Sequence, residues 1–261
     1  MKEINKREKE KKKLQFQVIT GLILGVFLAL SAFSSCEKKN SAPPDFRKIS
    51  ETDQKKEAFF AFLSPIVSSE NDRIKSQRDR LLKIYKSTGE DNESSFLDRG
   101  WLEDLADSYE VPLEGKSPTE EEWGALMRRV DTVPKELVLV QAAIESAWGT
   151  SRFARDGNNF FGEHCTAPGC GIVPEARPSG QNWEVEVFDS PNESVRSYLH
   201  NLNTHEAYAG LRRLREKLRQ QGKTPNGVLL ARALEDYSER GHKYVRDVQT
   251  MIRTNREKIH K

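Results

Sequence analysis

The chain has 261 residues, enough for one large domain or two small ones, with 36% hydrophobic and 31% charged residues. A net charge of +2 is too small to argue for a nucleic-acid partner. No G-x-x-x-x-G-K-[ST] phosphate loop, H-E-x-x-H metal pair or G-x-S-x-G nucleophile turn occurs, so the residues call for no cofactor or metal and leave carboxylate chemistry as the main option.

The basic opening MKEINKREKEKKK runs into LQFQVITGLILGVFLALSAFSSC. A positive start, an apolar middle and small residues before a cysteine read as an export signal over residues 1–35. Ser34-Ser35-Cys36 has the form of a lipobox end, with Phe33 where Leu is usual; Cys36 would then be lipidated and become the mature N-terminus. Two other outcomes stay open. Leu14 to Phe33 is long enough for an uncleaved membrane anchor, and ordinary cleavage is the third. All three put the folded part outside the cytoplasm. Lipidated Cys36 followed by Glu37 would favour an outer-membrane lipoprotein on the periplasmic face.

Residues 36–49 are polar, carry Pro43-Pro44 and read as a tether. A helical region over 50–130 comes next. Ala58, Phe59, Phe62, Leu63, Ile66 and Val67 give one helical run, and Ile74, Leu81, Leu82 and Tyr85 a second. Phe96 to Tyr109 is a third, with Leu97, Trp101, Leu105 and Tyr109 on one stripe. Ser117-Pro118-Thr119-Glu120 is expected to cap a fourth, ahead of Trp123, Leu126, Met127 and Val130. This region reads as scaffold.

The catalytic part is expected over 131–261. VPKELVLVQAAIESAWGTSRFARDGNNFFG reads as a buried helix with Leu137, Val140, Ile144 and Trp148 on its core stripe, ended by Gly149. Glu145 lies off that stripe, beside Val138, Gln141 and Ala142, in the last turn. Burial and the negative end of the helix dipole both raise a carboxyl's pKa, which suits a general acid. Gly157-Asn158-Asn159-Phe160-Phe161-Gly162 has the composition of a tight turn.

Cys165 and Cys170 are expected to pair in an oxidising compartment. The rival is a metal site with His164, which lacks the full tetrahedral set zinc takes. Gly171 to Asp189 reads as a β-hairpin, with Glu175 on its first arm and Glu184 and Glu186 on its second. Ser190-Pro191-Asn192-Glu193 opens a helix through Leu202, with Glu193 as the cap partner. Leu211, Leu214 and Leu218 mark an Arg/Lys-rich amphipathic helix, Leu229 to Tyr237 another, and Tyr244 to Lys258 the last.

The stretches VPKELVLVQAAIESAWGTSRFARDGNNFFG, CTAPGCGIVP, FDSPNESVRSYLHNLNTHEAY and YSERGHKYVRDVQTMIR resemble the glucosaminidase domains of glycoside hydrolase family 73. The resemblance implies an α+β fold, predominantly α: a lysozyme-like fold with a small β-hairpin lobe beside the cleft. It implies hydrolysis of the β-1,4 bond after N-acetylglucosamine in peptidoglycan glycan strands. Glu145 takes the position of the family's general acid, Glu175 matches its second carboxylate with Glu184 as the alternative, and Tyr244 matches its tyrosine with Tyr237 as second choice. Trp148, Asn159, Phe160 and Tyr237 are expected to face the substrate. The alternatives are a lytic transglycosylase of the same fold and a non-catalytic peptidoglycan-binding assembly protein.

Overall fold

The computed structural model describes residues 43–91, 96–115 and 117–260. The expected export signal and Cys36 lie outside the described residues. Among the described residues no helix is long and apolar enough to cross a membrane.

The fold is α+β and predominantly α, of the lysozyme-like kind. Helix α1 (Thr52–Asp91) is a single 40-residue element where two separate runs were expected. Pro65 lies inside it, although proline removes one backbone donor there. The polar stretch between the two apolar runs, which looks like a break, supplies tertiary anchors instead. Glu70 accepts two hydrogen bonds from Arg196, at 2.9 and 3.1 Å. Asn71 pairs with both backbone groups of Val133.

Helices α2 (Phe96–Ser108) and α3 (Glu120–Arg129) come next. The cap of α3 sits two residues later than expected. Thr119 accepts from the Glu122 N–H and the Glu122 carboxylate accepts from Thr119, a complete capping box.

Two cores result. Leu81 and Ile84 of α1 join Leu102, Leu105, Trp123 and Leu126 in the smaller one. The first half of α1 belongs to the larger one, where Phe59, Phe60, Leu63 and Val67 meet Leu137, Val140, Phe160 and Tyr198. Helix α1 therefore contributes to both cores, and through the larger one it packs with residues from 133 onward. That core begins earlier than the sequence pattern suggests. Asp45 opens a 3-10 turn over Phe46–Lys48, and Phe46, at the end of the expected tether, is fully buried against Phe59 and Phe62.

Helix α4 (Lys135–Glu145) runs through the middle. Every residue from Leu137 to Ala143 is buried, so this stretch has no solvent face. Each large aliphatic side chain so buried contributes roughly 1.5–3 kcal/mol. Helix α5 (Arg152–Gly157) ends in left-handed Asn158.

Next comes a three-stranded antiparallel sheet, β1 (His164–Cys165), β2 (Gly171–Ile172) and β3 (Glu184–Glu186), in the order β1-β3-β2. A simple hairpin was expected; β1, only two residues long, leaves no alternating pattern to read. The pattern also misassigns the faces. Glu184 is buried and Val187 is exposed, because the Glu184 carboxylate accepts the N–H groups of Gly169 and Gly171, at 3.2 and 2.8 Å.

Helices α6 (Pro191–Thr204), α7 (Ala209–Gln220), α8 (Gly227–Leu230), α9 (His242–Thr254) and α10 (Arg256–Ile259) complete the chain. Helix α7 is not simply a solvated basic face. Arg212 and Arg215 are buried, and Arg215 donates to the carbonyls of Arg128, Asp131 and Thr132. Buried Asp131 also takes Arg219 in two bonds of 2.6 Å. A buried charge is tolerated only when paired in this way.

Candidate active site

Glu145 is the last residue of α4. The chain then enters an unusual turn: Ala147, Trp148 and Gly149 all have positive φ, at 51°, 59° and 73°. Ser146 holds it, donating to the Ala142 carbonyl at 2.6 Å and accepting the Gly149 N–H at 2.8 Å. The turn is packed from behind by Phe46. A Cβ on Gly149 would stand 2.4 Å from the Phe46 ring, so only glycine fits.

The Glu145 carboxyl is half-buried. Burial pushes its pKa above the ordinary range, while a hydrogen bond from Tyr244 and the charge of Arg240 pull it back. The Tyr244 hydroxyl donates to Glu145 Oε1 at 2.8 Å. That hydroxyl accepts from Gln141 Nε2 at 3.0 Å, and Gln141 Oε1 accepts from Tyr198. A chain of three side chains, Tyr244, Gln141 and Tyr198, thus orients the acid. Gln141 is fully buried on α4, where an amide is tolerated because both its ends are bonded.

Aromatic rings extend the site. Tyr237 stacks on Tyr244 with centroids 5.4 Å apart and bonds the Phe161 carbonyl at 3.3 Å. Phe161 stacks on Tyr198 at 3.9 Å, and Tyr208 leans on Tyr237 at 6.0 Å. Burial and the nearby carboxylates push the Tyr208 hydroxyl up to about 12.

The structure thus brings Glu145, Tyr244 and Tyr237 together. Among the other expected residues, Phe160, Asn159 and Glu184 are buried, Trp148 is half-buried and Glu175 is exposed. Phe160 is fully buried in the core, so it cannot touch a substrate. Asn159 is also buried; its side chain bonds the N–H groups of Phe161, Gly162 and Glu163 and the carbonyls of Glu163 and Glu186. It builds the turn rather than the substrate surface. The Trp148 ring packs edge-on against Phe59 and Phe60, at 5.6 and 5.3 Å. Glu184 is committed to the disulfide loop, and Glu175 is exposed in a turn after β2. Cys165 and Cys170 form a disulfide with Cα atoms 6.2 Å apart, which uses both thiols of the rival metal site.

One carboxyl is not legible as a site residue from sequence. Burial pushes Glu163 up to about 8, against the pull of Ser197 and Asn201 and with a push from Glu186. Its only sequence signal is its place between a Phe-Phe-Gly turn and a disulfide, which is weak.

A buried helix ending in an acid, a tyrosine hydroxyl beside that acid and a small β lobe make up the candidate site. The family model for mannosyl-glycoprotein endo-beta-N-acetylglucosaminidase matches residues 121–257, and the chain belongs to that family. It is also similar to Protein bax of Escherichia coli (strain K12), 33% identical over 228 residues, which is 87% of this chain and 79% of that protein. No solved structure gives a significant match.

Proposed function

We propose that the protein is a peptidoglycan hydrolase, an endo-β-N-acetylglucosaminidase cleaving the β-1,4 bond after N-acetylglucosamine. The observation that carries this reading is Glu145: a half-buried carboxyl with raised pKa at the end of a buried helix, oriented by Tyr244. With Oε1 accepting from Tyr244, the proton sits on Oε2 and passes to the leaving glycosidic oxygen. A second group then meets the oxocarbenium-like centre. If Glu175 activates water, the outcome is inversion, with carboxyls about 6.5–9.5 Å apart in the working complex. If the substrate's own N-acetyl oxygen attacks, the outcome is retention.

The glycan substrate accords with the export reading of the first 35 residues. In that reading a lipid on Cys36 holds the enzyme at the periplasmic face of the outer membrane. Loss of radiolabelled palmitate from a Cys36→Ala protein tests this, and equal labelling overturns it.

Digestion of purified peptidoglycan with mass analysis of the products tests the activity. The expected products end in reducing N-acetylglucosamine, and folded Glu145→Gln releases none. Anhydro-muramic ends would instead identify a transglycosylase. Full activity in folded Glu145→Gln would remove the assigned acid.

A further inference from the structure

We propose that a basic groove, running from the tyrosine cluster to the seam between α3 and α7, receives the acidic peptide stems that peptidoglycan carries on its glycan strands. The inference rests on the proposed glycan substrate and adds to it a preference for strands with their peptides attached.

Two adjoining cavities make the groove. The first, of about 370 Å³, has Arg128 and Arg129 of α3 on one side and Arg212 and Arg213 of α7 on the other. The second, of about 340 Å³, lies between Ala207, Gly210, Arg232 and Glu235. Glu206, Ala209 and Arg213 line both, so the cavities meet there. The floor of the second is open: a Cβ on Gly210 would meet nothing within 4 Å.

The inner end of the groove stands beside the candidate active site. Glu206 and Ala207 share a 3-10 turn with Tyr208, and Glu235 shares one with Tyr237. The Tyr208 and Tyr237 rings lie 6.0 Å apart, and Tyr237 lies 5.4 Å from Tyr244, which bonds Glu145 at 2.8 Å. The groove thus starts at the outer ring of a row of three tyrosines that ends at the acid. A strand held at Glu145 can lay a side branch into it.

Charge decides what the groove takes. Five arginines line it against three glutamates, and the pairing is loose. Arg128 stands 3.5 Å from Glu216, and Arg212 stands 3.8 Å from Glu206. Where α7 serves the fold the contact is tight, as between Arg219 and Asp131 at 2.6 Å. Arg213 and Arg232 are exposed, and among the described residues neither has a carboxylate within ion-pair distance. Arg212 is buried, and the charges of Arg129 and Arg213 press on it. A bound carboxylate relieves that crowding, and the guanidinium fork matches its geometry. The interleaved glutamates disfavour a continuous polyanion or an anionic lipid sheet. They suit a peptide, which can carry an amine as well as carboxyls.

The test uses full-length protein on two forms of one substrate: peptidoglycan with its stems, and the same strands stripped of them by an amidase. The wild type is expected to cut the intact form with kcat/KM about tenfold above the stripped form. Arg213→Glu/Arg232→Glu changes two exposed arginines outside the catalytic set. It loses about tenfold on intact strands, mainly through KM, and nothing on stripped ones. Gly210→Leu, which fills the floor without removing a charge, gives the same pattern and decides alone if the charge variant does not fold. Equal wild-type rates on both forms, or variants that lose equally on both or on neither, would overturn the proposal. Sedimentation with phosphatidylglycerol vesicles probes another anion. Wild-type capture that the charge variant loses, with no effect of the stems, would assign the groove to a lipid surface and overturn the proposal too. If the wild type cuts neither form, the proposed hydrolysis fails. Co-sedimentation with intact and stripped strands then reads the groove: the wild type binds the intact form about tenfold tighter and the charge variant binds both alike.

Discussion

Tyr244 reaches back across 99 positions of sequence to set its hydroxyl 2.8 Å from Glu145 Oε1. The tyrosine comes from α9 and the acid from the end of α4, so the pair exists only once both helices are packed. The bond stabilises the carboxylate form and so opposes the rise that burial imposes on Glu145.

Tyr244→Phe removes that opposition. The Glu145 pKa rises further, and the alkaline limb of kcat/KM moves to higher pH. Loss of an orienting bond lowers kcat by about tenfold, and leaving Gln141 with one partner fewer destabilises the fold by about 1 kcal/mol. A pH–rate profile of the variant checks the electrostatic effect and a urea melt the stability; an unmoved alkaline limb would contradict the electrostatic role.

Glu163 makes stability depend on pH in the sense opposite to a salt-bridged acid. Its carboxyl titrates at about 8 in the folded protein against 4.5 for an unperturbed glutamate. The folded state holds the extra proton between those values. This contribution is fully present below about 4.5 and is lost as pH rises through about 8. Glu163→Gln abolishes the loss, so the variant gains on the wild type by on the order of a few kcal/mol at alkaline pH. Urea melts at acid and alkaline pH measure this, and parallel profiles for the two proteins would refute it.

Glu70 ties α1 to α6. It is 3% exposed and takes Arg196 through two bonds and Arg73 through one. The arginines are themselves half-exposed, so the ion pairs are screened. Glu70→Ala should cost about 1–2 kcal/mol in chemical unfolding. A change below a few tenths would show the contact to be incidental.

Gly149→Ala should be more damaging. It adds left-handed strain of about 1–2 kcal/mol and a clash of about 1–3 kcal/mol with Phe46. Activity falls with stability because the same turn carries Glu145. Combining it with Phe46→Leu recovers part of the loss, since the sites touch and their effects do not add. Strict additivity in a double-mutant cycle would deny the contact.

Local signals read well where the physics is local. The apolar run from Leu137 to Ala143 announces a buried helix, and Glu145 is the acid that interrupts it. Ser190 and its following Pro open α6 through a side-chain bond to the Glu193 N–H. Reading fails where partners are distant. Glu70 and Asn71 look like a break in a helix until Arg196 and Val133 arrive. Glu184 looks solvated until two glycine N–H groups fold onto it. Glu163 looks like one acid among many because Ser197 and Asn201, which stand beside it, come from a helix still to be reached. The buried arginines of α7 obey the same rule, since the carbonyls that receive Arg215 come from residues 128–132.

Phe46 stands upstream of the first long helix, yet its ring fills the space behind Gly149. The folded core therefore begins by Phe46, inside the stretch whose composition reads as a tether, and it meets the back of the turn that follows Glu145. Trimming the chain to begin at Thr52 would leave every cleft residue in place and still unseat the acid by removing the wedge beneath it.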